Sequence, residues 1–133
     1  MDTKTILVIE DETPLQNAIE IKLKSSGYEV MLAGTADEAR ERIKEKVPDL
    51  IWLDLLLPGM DGLEFLEEMR GKEEWKHIPV MIVSITTGQD KIKKAFELDV
   101  IDFVIKSQYR LEDITSKVGE FFDEKKRASG VIM

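Results

Sequence analysis

The chain has 133 residues, no cysteine, and 19 lysines and arginines against 27 aspartates and glutamates, a formal net charge of −8. That length suits one domain with a core of its own, and the missing thiols exclude a disulfide framework. The acidic surplus argues against direct nucleic-acid binding, which needs a clustered basic face, and no apolar run approaches the ~18 residues of a membrane span. The opening segment MDTKTILVIEDE lacks the basic flank and long apolar stretch of a signal peptide, so a cytoplasmic location is expected.

Taken in chain order, short apolar runs alternate with amphipathic stretches. TILVI (5–9) reads as a first strand, and the pattern predicts a helix over 14–26. Thr13-Pro14-Leu15-Gln16 fits a capping box with proline at the first helical position, and Gly27 stands where a left-handed residue closes a helix. YEVMLA (28–33) is a second strand, and Thr35-Ala36-Asp37-Glu38 is a second capping box opening a helix over 35–46. LIWLD (50–54) is a third strand, followed by a helix over 62–70; PVMIVS (79–84) is a fourth, followed by a helix over 89–98. DFVI (102–105) is the fifth strand, and Leu111, Ile114, Val118 and Phe121 share the core face of a last helix over about 110–126.

Five strands alternating with five helices imply a parallel sheet covered on both faces, which explains why LIWLD and PVMIVS are almost wholly apolar. The tail EKKRASGVIM (124–133) is a frayed helix end or the stub of a link to a further domain, and Lys125, Lys126 and Arg127 are cations favoured near a helix C-terminus. His77, before Ile78-Pro79, reads as a loop residue and not a phosphodonor.

In open parallel sheets, ligands bind at the carboxyl ends of the strands. Here those ends carry Glu10, Asp11 and Glu12, then Asp54, then Ser84, Ile85 and Thr86, then Lys106 and Ser107. An acid that closes an apolar strand is costly to bury unless something compensates it. Acids this close do not all stay ionised without a cation, and a hard divalent ion such as Mg²⁺ resolves the conflict. Each piece has a plainer explanation alone. Glu10 to Glu12 would be welcome as a solvated acidic loop beside a helix N-terminus, Lys106 as a surface lysine, Ser84 as a small strand-end residue.

The combination resembles a receiver domain of the bacterial response-regulator family, with the CheY-like form of the flavodoxin-like fold. The likeness covers residues 4 to about 123. It is carried by LDLLLPGMDG, in which Asp54 is followed by Pro58-Gly59 and Asp61-Gly62, together with VIEDE, PVMIVSIT and DFVIKS in the same order. It implies an α/β three-layer (βα)5 sandwich with a five-stranded parallel sheet of order 2-1-3-4-5, a receiver domain at 1–124 and a tail at 125–133. It implies that Asp54 accepts a phosphoryl group from a sensor histidine kinase, a histidine phosphotransfer protein or a small acyl phosphate. Asp11, Asp54 and the backbone carbonyl of Leu56 would hold Mg²⁺, with Glu10 helping directly or through water. Lys106 would pair with Asp54 and then with the phosphoryl oxygens, and Ser84 would hydrogen-bond the group once it arrives. Phe103 would be a switch aromatic, as opposed to a plain core residue. The face of the fourth helix, fifth strand and fifth helix would bind a downstream protein target, or a second copy of the chain as a homodimer.

The chain departs from the family in four places. Glu10 stands where aspartate is commoner. Ile85 occupies a usually small position over the acceptor, so that Ile85 and Thr86 are expected to modulate access to Asp54. Ser107 replaces a proline that usually follows the lysine, so a trans peptide and a differently shaped loop are expected. Asp99 and Val100 replace a glycine and an alanine. Two alternatives follow: a degenerate receiver acting as a phosphorylation-independent docking module, and an aspartyl phosphohydrolase. Leu56 weakens the second, because such enzymes carry an acid two residues after the nucleophile. The motifs G-x-G-x-x-G and G-x-x-x-x-G-K-[ST] are absent, which argues against a nucleotide site.

Overall fold

The computed structural model describes residues 3–86 and 88–128. Five strands, β1 (Thr5–Ile9), β2 (Glu29–Ala33), β3 (Leu50–Leu53), β4 (Val80–Ser84) and β5 (Asp102–Ile105), form one sheet. Every pairing is parallel and the order is β2-β1-β3-β4-β5. The helices between and after them are α1 (Thr13–Ser25), α2 (Ala36–Glu45), α3 (Gly62–Arg70), α4 (Gln89–Glu97) and α5 (Leu111–Ala128). This is the flavodoxin-like, CheY-type architecture.

The pleat sorts the strand residues into two cores, since successive side chains point to opposite faces. Leu7, Ile9, Ile51, Leu53, Val80 and Ile82 face α2, α3 and α4, where Ala39, Ile43, Phe65, Leu66 and Ala95 are buried. Ile6, Val8, Leu50, Trp52, Met81, Val83 and Val104 face α1 and α5, where Ile19, Leu23, Ile114 and Val118 are buried. Strands apolar on both faces are what a sheet sandwiched between two helical layers requires. Among the described residues, no helix is long and apolar enough to cross a membrane.

The helix ends correct the sequence expectation in one instance. At α2, Thr35 Oγ1 accepts from Glu38 N at 3.1 Å as the capping box predicts, although the Glu38 carboxylate reaches Gly34 N rather than Thr35. At α1 the box does not form. Thr13 is already helical, the N-cap is Glu12 without a side-chain bond, and the Gln16 amide donates to Glu10 O at 2.9 Å instead. The Glu10 carbonyl, left beyond the end of the strand, outcompetes the ordinary cap. Gly27 closes α1 at φ +95° as expected, and Tyr28 belongs to that turn, its amide bonded to Leu23 O, so β2 begins at Glu29. Helix α5 continues through Ala128, four residues into the stretch assigned to the tail, and residues 129–133 lie outside the described residues.

At the opposite end of the sheet from the acids, Arg70 ties four loop carbonyls together. Its guanidinium donates to Leu98 O at 2.7 Å, Ile78 O at 2.9 Å, Lys76 O at 3.1 Å and Asp99 O at 3.4 Å. Asp99 sits at φ +61°, the left-handed region that glycine occupies without cost and aspartate tolerates better than most residues.

Candidate phosphoacceptor and metal site

Each strand end delivers one part of the site. Strand β1 continues past Ile9 far enough for Glu10 N to bond Ala33 O at 2.9 Å, which holds Glu10 in line with the sheet. Asp54 follows the last residue of β3, and its amide still bonds Ile9 O at 3.0 Å. The strand assignment ends one residue before the expected one, yet the acid keeps its place in the ladder. Ser84 is the last residue of β4, and Lys106 opens the short 3-10 turn that follows β5.

These side chains meet. Asp54 is 4% exposed and Glu10 2%, and Ser84 is fully buried. Lys106 Nζ donates to Glu10 Oε1 at 2.7 Å and to Asp54 Oδ2 at 3.0 Å. Asp54 Oδ1 accepts from Leu56 N at 3.0 Å and from Ser84 Oγ at 3.1 Å. The acceptor carboxylate is therefore gripped by three donors from three different segments. Lys106 reaches it although the following peptide is trans and the loop is a 3-10 turn, as the Ser107 substitution led us to expect.

Charge is not balanced within this cluster. Glu10, Asp11 and Asp54 each place one carboxylate oxygen within 4.8 Å of the others, and among the described residues the one ammonium paired with them, that of Lys106, neutralises one of the three charges. The cost appears in Glu10. Burial pushes its carboxyl above the usual range and the Asp54 charge adds to this, with the Lys106 hydrogen bond offsetting only part. Burial alone would lower Lys106, but its hydrogen bonds to Glu10 and Asp54 outweigh that and hold it above its ordinary value. Two surplus negative charges on hard oxygen donors fit a divalent cation of the Mg²⁺ type, which takes carboxylate oxygens and retains waters.

Asp11 is exposed, and among the described residues no hydrogen bond is made by its side chain. The Leu56 amide lies against Asp54, which brings the backbone of that residue alongside the carboxylate. Ile85 is 60% exposed, and Thr86 turns its hydroxyl to Ser84 Oγ at 3.3 Å. Phe103, opposite Ile82 in the sheet register, is half-buried and packs on the core beneath α2, α3 and α4. His77 is an exposed turn residue.

Two contributors were not singled out by sequence reasoning. Gln16 was visible only as part of a capping box. Gly62 was visible only as part of the Asp61-Gly62 motif, and its role is steric. Asp61 caps α3 by accepting from Leu63 N at 2.9 Å, and Gly62 N donates to Leu55 O at 2.8 Å. A β-carbon on Gly62 would lie 2.6 Å from Leu55 Cα and 2.7 Å from Asp54 O, both backbone atoms. Helix α3 thus starts directly on the peptide that follows the acceptor. Gly62→Ala is expected to cost about 2–3 kcal/mol in urea denaturation, the scale of an overpacked core, because backbone has to give way.

A family model described as the response regulator receiver domain matches residues 6–118. The phosphate regulon transcriptional regulatory protein PhoB of Pseudomonas aeruginosa is 32% identical over 103 residues, 77% of this chain and 45% of that protein. The chain thus spans less than half the length of that relative. Among solved structures, a CheY-like receiver domain protein from Methanospirillum hungatei has a TM-score of 0.85 at 24% identity, covering 96% of this chain and 99% of that one, a likeness of fold. The phosphorylated cyanobacterial phytochrome response regulator RcpA has a TM-score of 0.76 at 29% identity, covering 90% of this chain and 91% of that one. With the family match running from the first strand into the last helix, the chain belongs to the response regulator receiver domain family.

Proposed function

We propose that this receiver domain takes a phosphoryl group onto Asp54. The observation that carries the proposal is the Asp54 carboxylate itself, 4% exposed, held by Lys106, Ser84 and the Leu56 amide, with Glu10 and Asp11 in reach of the same ion. A carboxylate oxygen forms the new bond to phosphorus while the bond from phosphorus to the donor, a phosphohistidine nitrogen or an acyl oxygen, breaks and the donor leaves with the electron pair. Such a transfer asks little covalent work of the protein and mainly needs alignment and neutralised oxygens. Mg²⁺, held by Glu10, Asp11, Asp54 and the Leu56 carbonyl, would supply positive charge to the phosphoryl oxygens. Lys106 releases Asp54 Oδ2 to pair with the incoming group, and Ser84 donates its hydroxyl to it. The relative RcpA, of the same fold, is described in a phosphorylated form, which supports the assignment.

The chain then acts as a signalling module and catalyses nothing beyond its own phosphorylation and dephosphorylation. Its donor is a sensor histidine kinase or histidine phosphotransfer protein in the cytoplasm. Movement of Ser84 towards the phosphoryl group frees the space into which Phe103 turns, and the α4–β5–α5 face changes its fit for a protein target or a second copy of the chain. The unit responsible is residues 1–124, with 125–133 as tail or link. The test is intact mass after incubation with acetyl phosphate. A gain of one phosphoryl group in Mg²⁺ and none in EDTA is expected, and no gain in either would favour a docking module.

A further inference from the structure

The loop that carries two of the candidate metal ligands is bracketed by a single residue of α1. Gln16 N donates to Glu12 O at 2.8 Å, and its side-chain Nε2 donates to Glu10 O at 2.9 Å. Both ends of the Glu10-Asp11-Glu12 run are thereby fixed to the first turn of the helix. Three consecutive acids repel one another, and a neutral amide restrains them without adding charge of either sign.

Asp11 needs this restraint most. Glu10 is held by Lys106 and by Glu12 N at 3.2 Å, and Asp54 by three donors. Asp11 is exposed, and among the described residues its carboxylate has no hydrogen-bond donor, so its position is inherited from the peptide that precedes it. The oxygen of that peptide is the Glu10 carbonyl that Gln16 holds. One carboxylate oxygen from each of Glu10, Asp11 and Asp54 already lies within 4.8 Å of the others, and each soft torsion left in the loop is ordered at the cost of affinity when an ion binds.

We propose that Gln16 is a positioning residue for Mg²⁺: its amide clamps the Glu10–Asp11 peptide and so sets the metal affinity of the site without touching the ion. The inference rests on the assignment of Glu10, Asp11 and Asp54 as metal ligands. Residues that orient ligands in this way typically account for 10–100-fold in metal affinity.

The test is calorimetric titration of metal-free protein with Mg²⁺ at pH 8. Gln16→Met keeps the length and helix preference of the side chain but removes the donor. It is expected to raise the Mg²⁺ Kd about tenfold while the thermal midpoint in EDTA stays near that of the unaltered chain. Gln16→Glu, an acceptor when ionised, should also weaken binding, although its added charge would tighten it if simple attraction governed the site. Arg70→Met, which removes the carbonyl clip at the opposite end of the sheet from the ligands, should lower the thermal midpoint and leave the Kd unchanged. A Kd for Gln16→Met equal to that of the unaltered chain, tighter binding by Gln16→Glu, or equal weakening by Arg70→Met would each overturn the clamp. Absence of Mg²⁺ binding by the unaltered chain would instead overturn the metal assignment, and the clamp with it.

Discussion

Replacing Asp54 with asparagine is expected to abolish the Mg²⁺-dependent mass gain and leave the fold standing. The amide has no oxygen nucleophile comparable to a carboxylate, so incorporation should fall by about three orders of magnitude or more, the scale of deleting a nucleophile. The fold should survive because asparagine keeps an acceptor for Leu56 N and Ser84 Oγ, both now bonded to Asp54 Oδ1. Its NH₂ would face Lys106, a donor opposed to a donor, but Lys106 retains its 2.7 Å bond to Glu10. Losing one favourable pair and relieving the repulsion between Glu10 and Asp54 nearly cancel, so a stability change within about 1 kcal/mol is expected. Mass spectrometry reads the first effect and urea denaturation the second. Undiminished incorporation in the variant would move the acceptor to another residue.

Lys106→Met should have the largest effect on stability. Its ammonium bonds two carboxylates that are 2% and 4% exposed, and breaking a buried ion pair costs about 3 kcal/mol or more. The loss should depend on pH. Glu10 already has its pKa raised by burial, and without Lys106 it loses the hydrogen bond that holds the rise in check. A carboxyl whose folded value lies above its unfolded 4.5 binds more protons folded than unfolded, so stability falls as pH rises from 4.5 through the raised value. The variant should therefore stand closer to the unaltered chain at pH 5 than at pH 8 when both are unfolded by urea in EDTA. Mg²⁺ at pH 8 should restore part of the loss. A deficit independent of pH and of Mg²⁺ would assign Lys106 a packing role only. Phosphoryl incorporation should fall about 10²-fold, as for loss of one group that stabilises transferred charge.

Much of the fold was legible because it follows from local patterns. The apolar runs 5–9, 50–53 and 80–84 have no polar face to present to water, so strands buried on both sides were the economical solution. The acids, hydroxyl and lysine at the strand ends were legible for the same reason, since a parallel sheet collects all its carboxyl ends on one side. The rest depended on competition between partners that only the folded chain brings together. Thr13 and Gln16 satisfy the sequence rule for a cap, but nothing local reveals that the Glu10 carbonyl comes within reach of the glutamine. Arg70 reads as a helix-ending cation, whereas its four carbonyl partners lie up to 29 residues away. Gly62 follows an aspartate, as many turn glycines do, and only the contact with Leu55 and Asp54 shows why a side chain is excluded there.

The Arg70 clip makes the two ends of α4 mechanically unequal. The C-terminal end is moored through Leu98 and Asp99, while the opposite end is capped by Gly88 without a side-chain bond and follows shortly after Thr86. A helix of this length is a lever about 13 Å long with its pivot at the far end from the acids. A small displacement of the Ser84–Thr86 segment would act near the other end, held to Asp61 only by the exposed Lys91 ion pair at 3.8 Å, and the arc of such a lever is widest there.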